Sequence, residues 1–182
     1  MWPDGDVLSF DVRHLTLVLP MPPSILPSLT WACLSIHDLS AATLLDIMQL
    51  RNDAFLVELQ LKYLDYDGYD KPSLHVLATT TENTESRIAA YARIIPPLTV
   101  DATQIRPLIG RVVVAPHARG AGLARALMLQ AIEVCSARWP HQGIDLCAKF
   151  DLEKFYTSLG FETTSSEPYD IYGAAQIDMH RP

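Results

Sequence analysis

The sequence predicts one mixed α/β domain, a central sheet of six to seven strands flanked by helices, and three observations carry that prediction. Strand-like and helix-like segments follow one another in the order β-α-β-β-β-α-β-α-β-β, which calls for helices laid on a mixed sheet. Residues 107–128, PLIGRVVVAPHARGAGLARALM, join a β-branched apolar run to a long helical pattern through an Arg/Gly turn. The 182 residues, 49% hydrophobic and 19% charged, suffice for one sizeable core and are stretched for two.

Residues 1–28 stand apart as an N-terminal extension, because Pro3, Pro20, Pro22, Pro23 and Pro27 break any helix the apolar residues propose. The apolar run 15–26 is too short to cross a bilayer. Asp4, Asp6 and Asp11 sit where a secretory signal carries positive charge. The domain proper is 29–182. Trp31 to His37 reads as a strand, and Ser40 as the N-cap of a helix running through Val57. On that helix Arg51, Phe55 and Glu58 stand at i, i+4 and i+7, so a base and an acid share one face along an aromatic. Residues 63–71, YLDYDGYDK, form an acidic, turn-rich loop that reads equally as solvated or as a substrate contact. Asp65, Asp67 and Asp70 imitate half of a calcium loop, but its distal glutamate is missing near Leu74 to His75. Ser73 to Thr80 and Arg87 to Ile95 read as a hairpin, and Ile109 to Ala115 as a strand buried on both faces and stopped by Pro116. A helix from Leu123 to about Arg138 follows. Then come a strand at Ile144 to Ala148, a short helix at Leu152 to Leu159 capped by Gly160, and terminal strands at Phe161 to Thr164 and Ala175 to His180.

Composition narrows the function classes. A net charge of −7 with no Lys/Arg cluster argues against nucleic acid, and nothing suggests a membrane partner. Cys33, Cys135 and Cys147 lie in apolar runs at no metal-ligand spacing. They read as buried thiols of a protein kept in a reducing compartment, the cytoplasm, with no metal.

The strand–turn–helix at 109–138 aims free N–H groups and the positive end of a helix dipole at one point, which suits an anion such as phosphate. A Walker loop fails for want of Gly-Lys-Ser/Thr, and a dinucleotide fingerprint fails because Arg125 stands at its third glycine position. What remains is R-x-x-G-x-A, carried by Arg119, Gly122 and Ala124. With DLEKFYTSLGF at 151–161, this resembles the pyrophosphate loop and the later F-Y-x-x-x-G-F element of the GNAT acyl-CoA N-acyltransferase superfamily. LRNDAFLVE, YLDYDGYD, YARI and IGRVVV, in this order, are similar to the ElaA-like group of that superfamily. The terminal YGAAQIDM departs from the group's pattern, with Gln176 where a histidine is usual, and Lys149 replaces a usual glutamine.

The resemblance implies a GNAT fold over 29–182 and an acetyl-CoA cosubstrate. Its pyrophosphate would be gripped by Arg119, Gly120, Ala121, Gly122, Leu123 and Ala124, and its pantetheine arm would lie along Val112, Val113 and Val114 and against Phe155. It further implies that a backbone N–H within Val112 to Val114 faces the thioester oxygen, and that Tyr156 protonates the departing thiolate. The acceptor is then a primary amine of a small molecule or peptide. An amine of pKa near ~10.4 is only about one part in 10³ neutral at pH 7, roughly 4 to 5 kcal/mol against the nucleophile. Glu58 and then His75 are the candidates for the base that takes its proton, each with a structural ion pair or hydrogen bond as the alternative, Glu58 with Arg51 for example. Arg93 and Arg111 lie in strands where an unpaired charge is costly. They, and Arg51, pair with Glu58 or another acid, or bind a substrate carboxylate. Cys147 has no activating histidine beside it in sequence and is rejected as a nucleophile. The rival reading is a silent acyl-CoA-binding or protein-interaction module of the same fold, and a homodimer is left open.

Overall fold

The structure, a computed structural model, describes residues 29–82 and 85–182. The expected extension at 1–28 lies outside the described residues. The elements are β1 (Leu29–Ser35), α1 (Ala41–Arg51), β2 (Leu74–Glu82), β3 (Glu85–Ile95), β4 (Leu108–Val114), α2 (Leu123–Arg138), β5 (Ile144–Lys149), α3 (Glu153–Thr157), β6 (Glu162–Thr163), β7 (Tyr169–Ile171) and β8 (Ala174–Arg181). They form one eight-stranded sheet in the order β1-β2-β3-β4-β5-β8-β6, with the three-residue β7 also pairing β8. Among the described strands only β4 and β5 run parallel. A strand as short as β7 carries too few residues for alternation to show, and the sequence reading leaves it out.

Side chains alternate across the sheet, with α2 and α3 against one face and the first helix against the other. Val76, Ala78, Ala90 and Ala92 face α2, which sets Leu127, Met128, Ala131 and Cys135 against them. Burying Leu127 or Met128 contributes roughly 1.5–3 kcal/mol each. Leu77, Tyr91 and Val113 point the other way and pack on Ile47 and Ala54 of the first helix. Strand β4 is therefore less enclosed than its composition suggests: Ile109 and Val113 are buried, while Leu108, Val112 and Val114 are only half-buried.

Ser40 caps α1 as predicted, its hydroxyl accepting from the Thr43 N–H at 3.0 Å. The helix does not keep its period. From Asn52 to Glu58 it widens into a π-helix, with the Leu59 N–H reaching the Ala54 carbonyl at 3.0 Å. Such a wide turn is uncommon and is frequently found at functional sites. It removes the shared face expected of Arg51, Phe55 and Glu58: Arg51 turns into the protein and Glu58 emerges at the surface.

Candidate active site

The parallel contact between β4 and β5 lasts two residues, Leu108 opposite Asp145 and Ile109 opposite Leu146. Beyond it the strands separate. The β3–β4 register shifts between Tyr91 and Arg93, and Arg111 takes a left-handed φ of 53°, a strained state for a side chain of that size. The Ala115 N–H bonds to the Ala89 carbonyl on β3 at 2.8 Å. Since successive residues of a strand direct their backbone groups to opposite sides, Val112 and Val114 present theirs to the gap left by β5. A cavity of about 910 Å³ opens there, with Gly110 to Val112 on one wall and Cys147, Ala148, Lys149 and Tyr156 on the other. Val113, Val114, Phe155 and residues 119–124 lie outside its walls.

The turn after β4 leads to α2 through Gly120 and Gly122, at φ of 83° and 74°. Glycine adopts this left-handed conformation without the penalty a Cβ brings, and a Cβ at either position would meet open space. The N–H groups of Gly120 to Ala124 meet no backbone carbonyl among the described residues, and no side chain caps the helix at Gly122. Together with the helix dipole they make an exposed anion cradle. Arg119 beside it donates through Nε to the Val114 carbonyl at 3.1 Å. Its two terminal nitrogens hold the Glu58 carboxylate at 2.8 and 2.7 Å.

Glu58 thus pairs with Arg119 and not with Arg51, and the hydrogen bonds and charge of that arginine hold its carboxyl below the usual range. It is absent from the cavity walls, though it stands between the lining residues Phe55 and Leu59 in sequence, so the expected base does not itself face the cavity. His75 is fully buried. Its Nδ1 lies 2.9 Å from the Tyr91 hydroxyl and its Nε2 3.1 Å from the Asp70 carbonyl. Burial lowers its pKa. Both nitrogens are engaged inside the protein, and the second base candidate also fails to reach the cavity.

The three arginines are corrected in a different way. Arg51 reaches the Asp70 carboxylate at 2.6 Å and the Asp65 carboxylate at 2.8 Å. Arg93 grips Asp67 with both terminal nitrogens, at 2.7 and 2.6 Å, and touches Asp70 at 3.1 Å. Arg111 bridges Asp65 at 2.8 Å and Asp67 at 3.0 Å and lies over the Tyr63 ring, 4.9 Å from its centre. Arg51 and Arg93 are buried against these aspartates, which closes them to a substrate carboxylate, whereas Arg111 is one-fifth exposed on the cavity wall although already paired with two of them. Burial works against charge on Asp70 and Asp67, yet Arg51 for the first and Arg93 for both outweigh it and hold the two carboxyls low. The loop 63–71 is exposed at Leu64, Tyr66, Asp67, Gly68 and Lys71, while its Asp65, Asp67 and Asp70 are committed to arginines. Asp65 and Asp70 are almost completely buried, and the loop is riveted to α1, β3 and β4.

Tyr156 stands on the cavity wall, nearly buried, edge-on to Phe155 and Phe161. Burial, with a small push from Cys147, raises its pKa to about 12, so its hydroxyl keeps its proton throughout the neutral range. The cysteines divide: Cys135 is buried, Cys33 half-buried, and Cys147 exposed on the cavity wall rather than in the core. Desolvation raises the Cys147 pKa, which leaves a poor nucleophile; its Sγ lies 3.3 Å from the Tyr169 hydroxyl. The sequence reading misses Lys62 and Tyr172 as wall residues, whereas Tyr66 belongs to the loop it offers as a substrate contact. The alternation of tyrosine with aspartate in 63–70 was the available signal for part of that wall.

The model of the acetyltransferase (GNAT) domain family matches residues 76–181. Protein ElaA of Escherichia coli K12 is 34% identical over 154 residues, covering 83% of this chain and 95% of its own. The crystal structure of Escherichia coli ElaA superposes with a TM-score of 0.75 at 33% identity, over 85% of this chain and all of the other. An acyl-CoA N-acyltransferase from Pseudomonas aeruginosa does so with a TM-score of 0.76 at 30% identity, again over 85% and 100%. The family match over more than half of the chain and relatives at or above 30% identity along nearly their whole length agree, and the chain belongs to the GNAT family of acyltransferases.

Proposed function

We propose that the protein transfers an acetyl group from acetyl-CoA to a primary amine by direct attack. The observation that carries this is the split between β4 and β5, which sets Val112 across one cavity from Tyr156, with Val114 just beyond the walls. In this reading the pyrophosphate sits on the N–H groups of Gly120 to Ala124 and the pantetheine arm runs along β4 into the split. The amine lone pair attacks the thioester carbon, and the carbonyl oxygen gathers charge facing the N–H of Val112 or Val114. The C–N bond forms, the C–S bond breaks, and Tyr156 gives its proton to the leaving sulfur. The proton shed by the nitrogen passes to water and restores the tyrosine, since neither Glu58 nor His75 reaches the cavity. Three free thiols among the described residues suit a reducing compartment, the cytoplasm. Among the described residues no helix is long and apolar enough to cross a membrane.

Calorimetric titration tests the cofactor half. Acetyl-CoA binds one to one, and a Gly122→Val variant, which must strain the left-handed turn and crowd the cradle, binds at least tenfold more weakly. Equal affinity in the variant would remove the loop from the site. Free CoA released in the presence of an amine, measured against longer acyl-CoA donors, tests the acetyl assignment.

A further inference from the structure

The walls of the cavity carry a charge pattern opposite to that of the whole chain. At −7 the protein should attract cationic acceptors, but the one carboxylate in the described wall, Asp67, has both oxygens occupied. Arg93 and the Tyr69 N–H bond to Oδ1, and Arg93 and Arg111 bond to Oδ2. The ring of three aspartates and three arginines is neutral as a unit and has no acceptor oxygen of Asp67 left for an ammonium. Two ammonium groups, Lys62 and Lys149, belong to the same walls. Lys62 has no ion pair among the described residues, and Lys149 has only Asp151, 3.4 Å away and largely exposed, a surface pair of little strength. Much of the remaining wall is apolar and aromatic. Phe55, Leu59, Tyr66 and Ile171 contribute, as do Tyr63 and Tyr172, stacked with centroids 5.6 Å apart.

From this we infer that the acceptor is an amine bearing an apolar or aromatic body and a carboxylate, and that Lys62 and Lys149 read that carboxylate. The inference rests on the acyltransferase reading above and narrows it, because a polyamine would bring a second positive charge to walls that offer only positive ones. The amino group must be neutral to attack. An acceptor carboxylate held by two ammonium groups gives the site affinity without using that group.

Two measurements on the full chain test it, one of them independent of turnover. In the first, CoA release from acetyl-CoA is compared for phenylalanine, phenethylamine and spermidine. The carboxylated amine is expected to exceed the other two at least tenfold in kcat/KM, and a preference for spermidine or phenethylamine would overturn the proposal. In the second, the CoA-loaded protein is titrated with N-acetylphenylalanine and with its neutral analogue N-phenethylacetamide. The anion is expected to bind at least tenfold more tightly, and K62Q/K149Q is expected to abolish that difference while CoA affinity stays within twofold. Equal binding of the two products by the wild type, or an unchanged difference in the variant, would overturn the carboxylate assignment. So would a variant that loses CoA affinity but keeps the preference, since the lysines would then serve the cofactor. Failure of the acyltransferase reading is distinguishable: acetyl-CoA would give no CoA release with any amine while the product titration kept its Lys-dependent preference.

Discussion

On the β4–α2 side, the candidate site is a run of exposed backbone whose N–H groups meet no carbonyl among the described residues, with Arg119 and Glu58 each nearly half exposed. On the α1–β3 side, the wall is made of charged side chains that have already found one another, with Arg51 and Arg93 at 1–2% exposure. The first region is written in consecutive residues and gets its chemistry from conformation. The second is assembled from four separated segments and uses its charges to hold shape. Charge at a site is thus no guide to binding until its partners are known: the charged wall is a scaffold, and the grip proposed for the cofactor is the backbone of the glycine loop.

The largest effect expected is on the scaffold. Asp70→Asn removes the carboxylate that Arg51 and Arg93 share, leaving buried cations short of a partner. Loss of one member of such a buried set costs about 3–5 kcal/mol. Chemical denaturation should show that loss, and a variant as stable as the parent would mean that the ion network is dispensable.

Next in size is Tyr156→Phe, which keeps the ring packed between Phe155 and Phe161 and removes only the hydroxyl. If that hydroxyl is the acid, turnover falls by roughly 10² or more with thermal stability close to the parent's. Because its pKa stands at about 12, the parent's rate should climb with pH as the amine loses its proton and show no tyrosine-dependent decline below about pH 11. A near-normal rate in the variant assigns Tyr156 to packing.

Acid should separate the two regions more gently. His75 is held below its ordinary 6.5 by burial, so the unfolded chain takes up that proton first; its contribution to stability is whole above pH 6.5 and is lost as pH falls below it. Asp67 and Asp70 lie below their ordinary 3.8 because the arginines outweigh burial. Their contribution is whole above that value and drains away as pH falls through the lowered ones. Hydrogen exchange should therefore show residues 63–75 losing protection first on acidification while α2, packed through apolar side chains, keeps its own. Simultaneous loss in both regions would mean that the ion network and the core do not separate.

The same contrast governs what could be read from the sequence. The order of elements, Ser40 as a cap, the Gly120–Gly122 turn and Tyr156 on its short helix are all local, set by a few adjacent residues, and the sequence reading places each of them. It fails where the partner is distant. Arg51 meets Asp70 across 19 residues and Arg111 meets Asp65 across 46, and no periodicity relates such pairs. It fails also at Asn52, where the helix widens: a 3.6-residue repeat drawn onward from Arg51 puts Glu58 on the wrong side. The strand Leu108–Val114 shows a third limit, since valines that fill a core and valines that line a cleft look alike until the neighbouring strand leaves.

The smallest effect is the one that best divides two roles for Glu58. Its carboxylate holds Arg119 bidentately at 2.7–2.8 Å, beside the N–H groups proposed to take the pyrophosphate. A diphosphate entering that cradle meets a like charge and must compete for the same guanidinium. Glu58→Gln keeps the length and polarity of the side chain and removes the charge, so acetyl-CoA should bind the variant a few-fold more tightly, with the difference shrinking as salt screens the pair. A base has the opposite signature, in which turnover falls by roughly 10² or more and cofactor affinity is unmoved. Tighter binding with turnover preserved makes Glu58 the occupant of the cofactor's arginine in the unliganded protein, and ties the end of the first helix to the arrival of the cofactor.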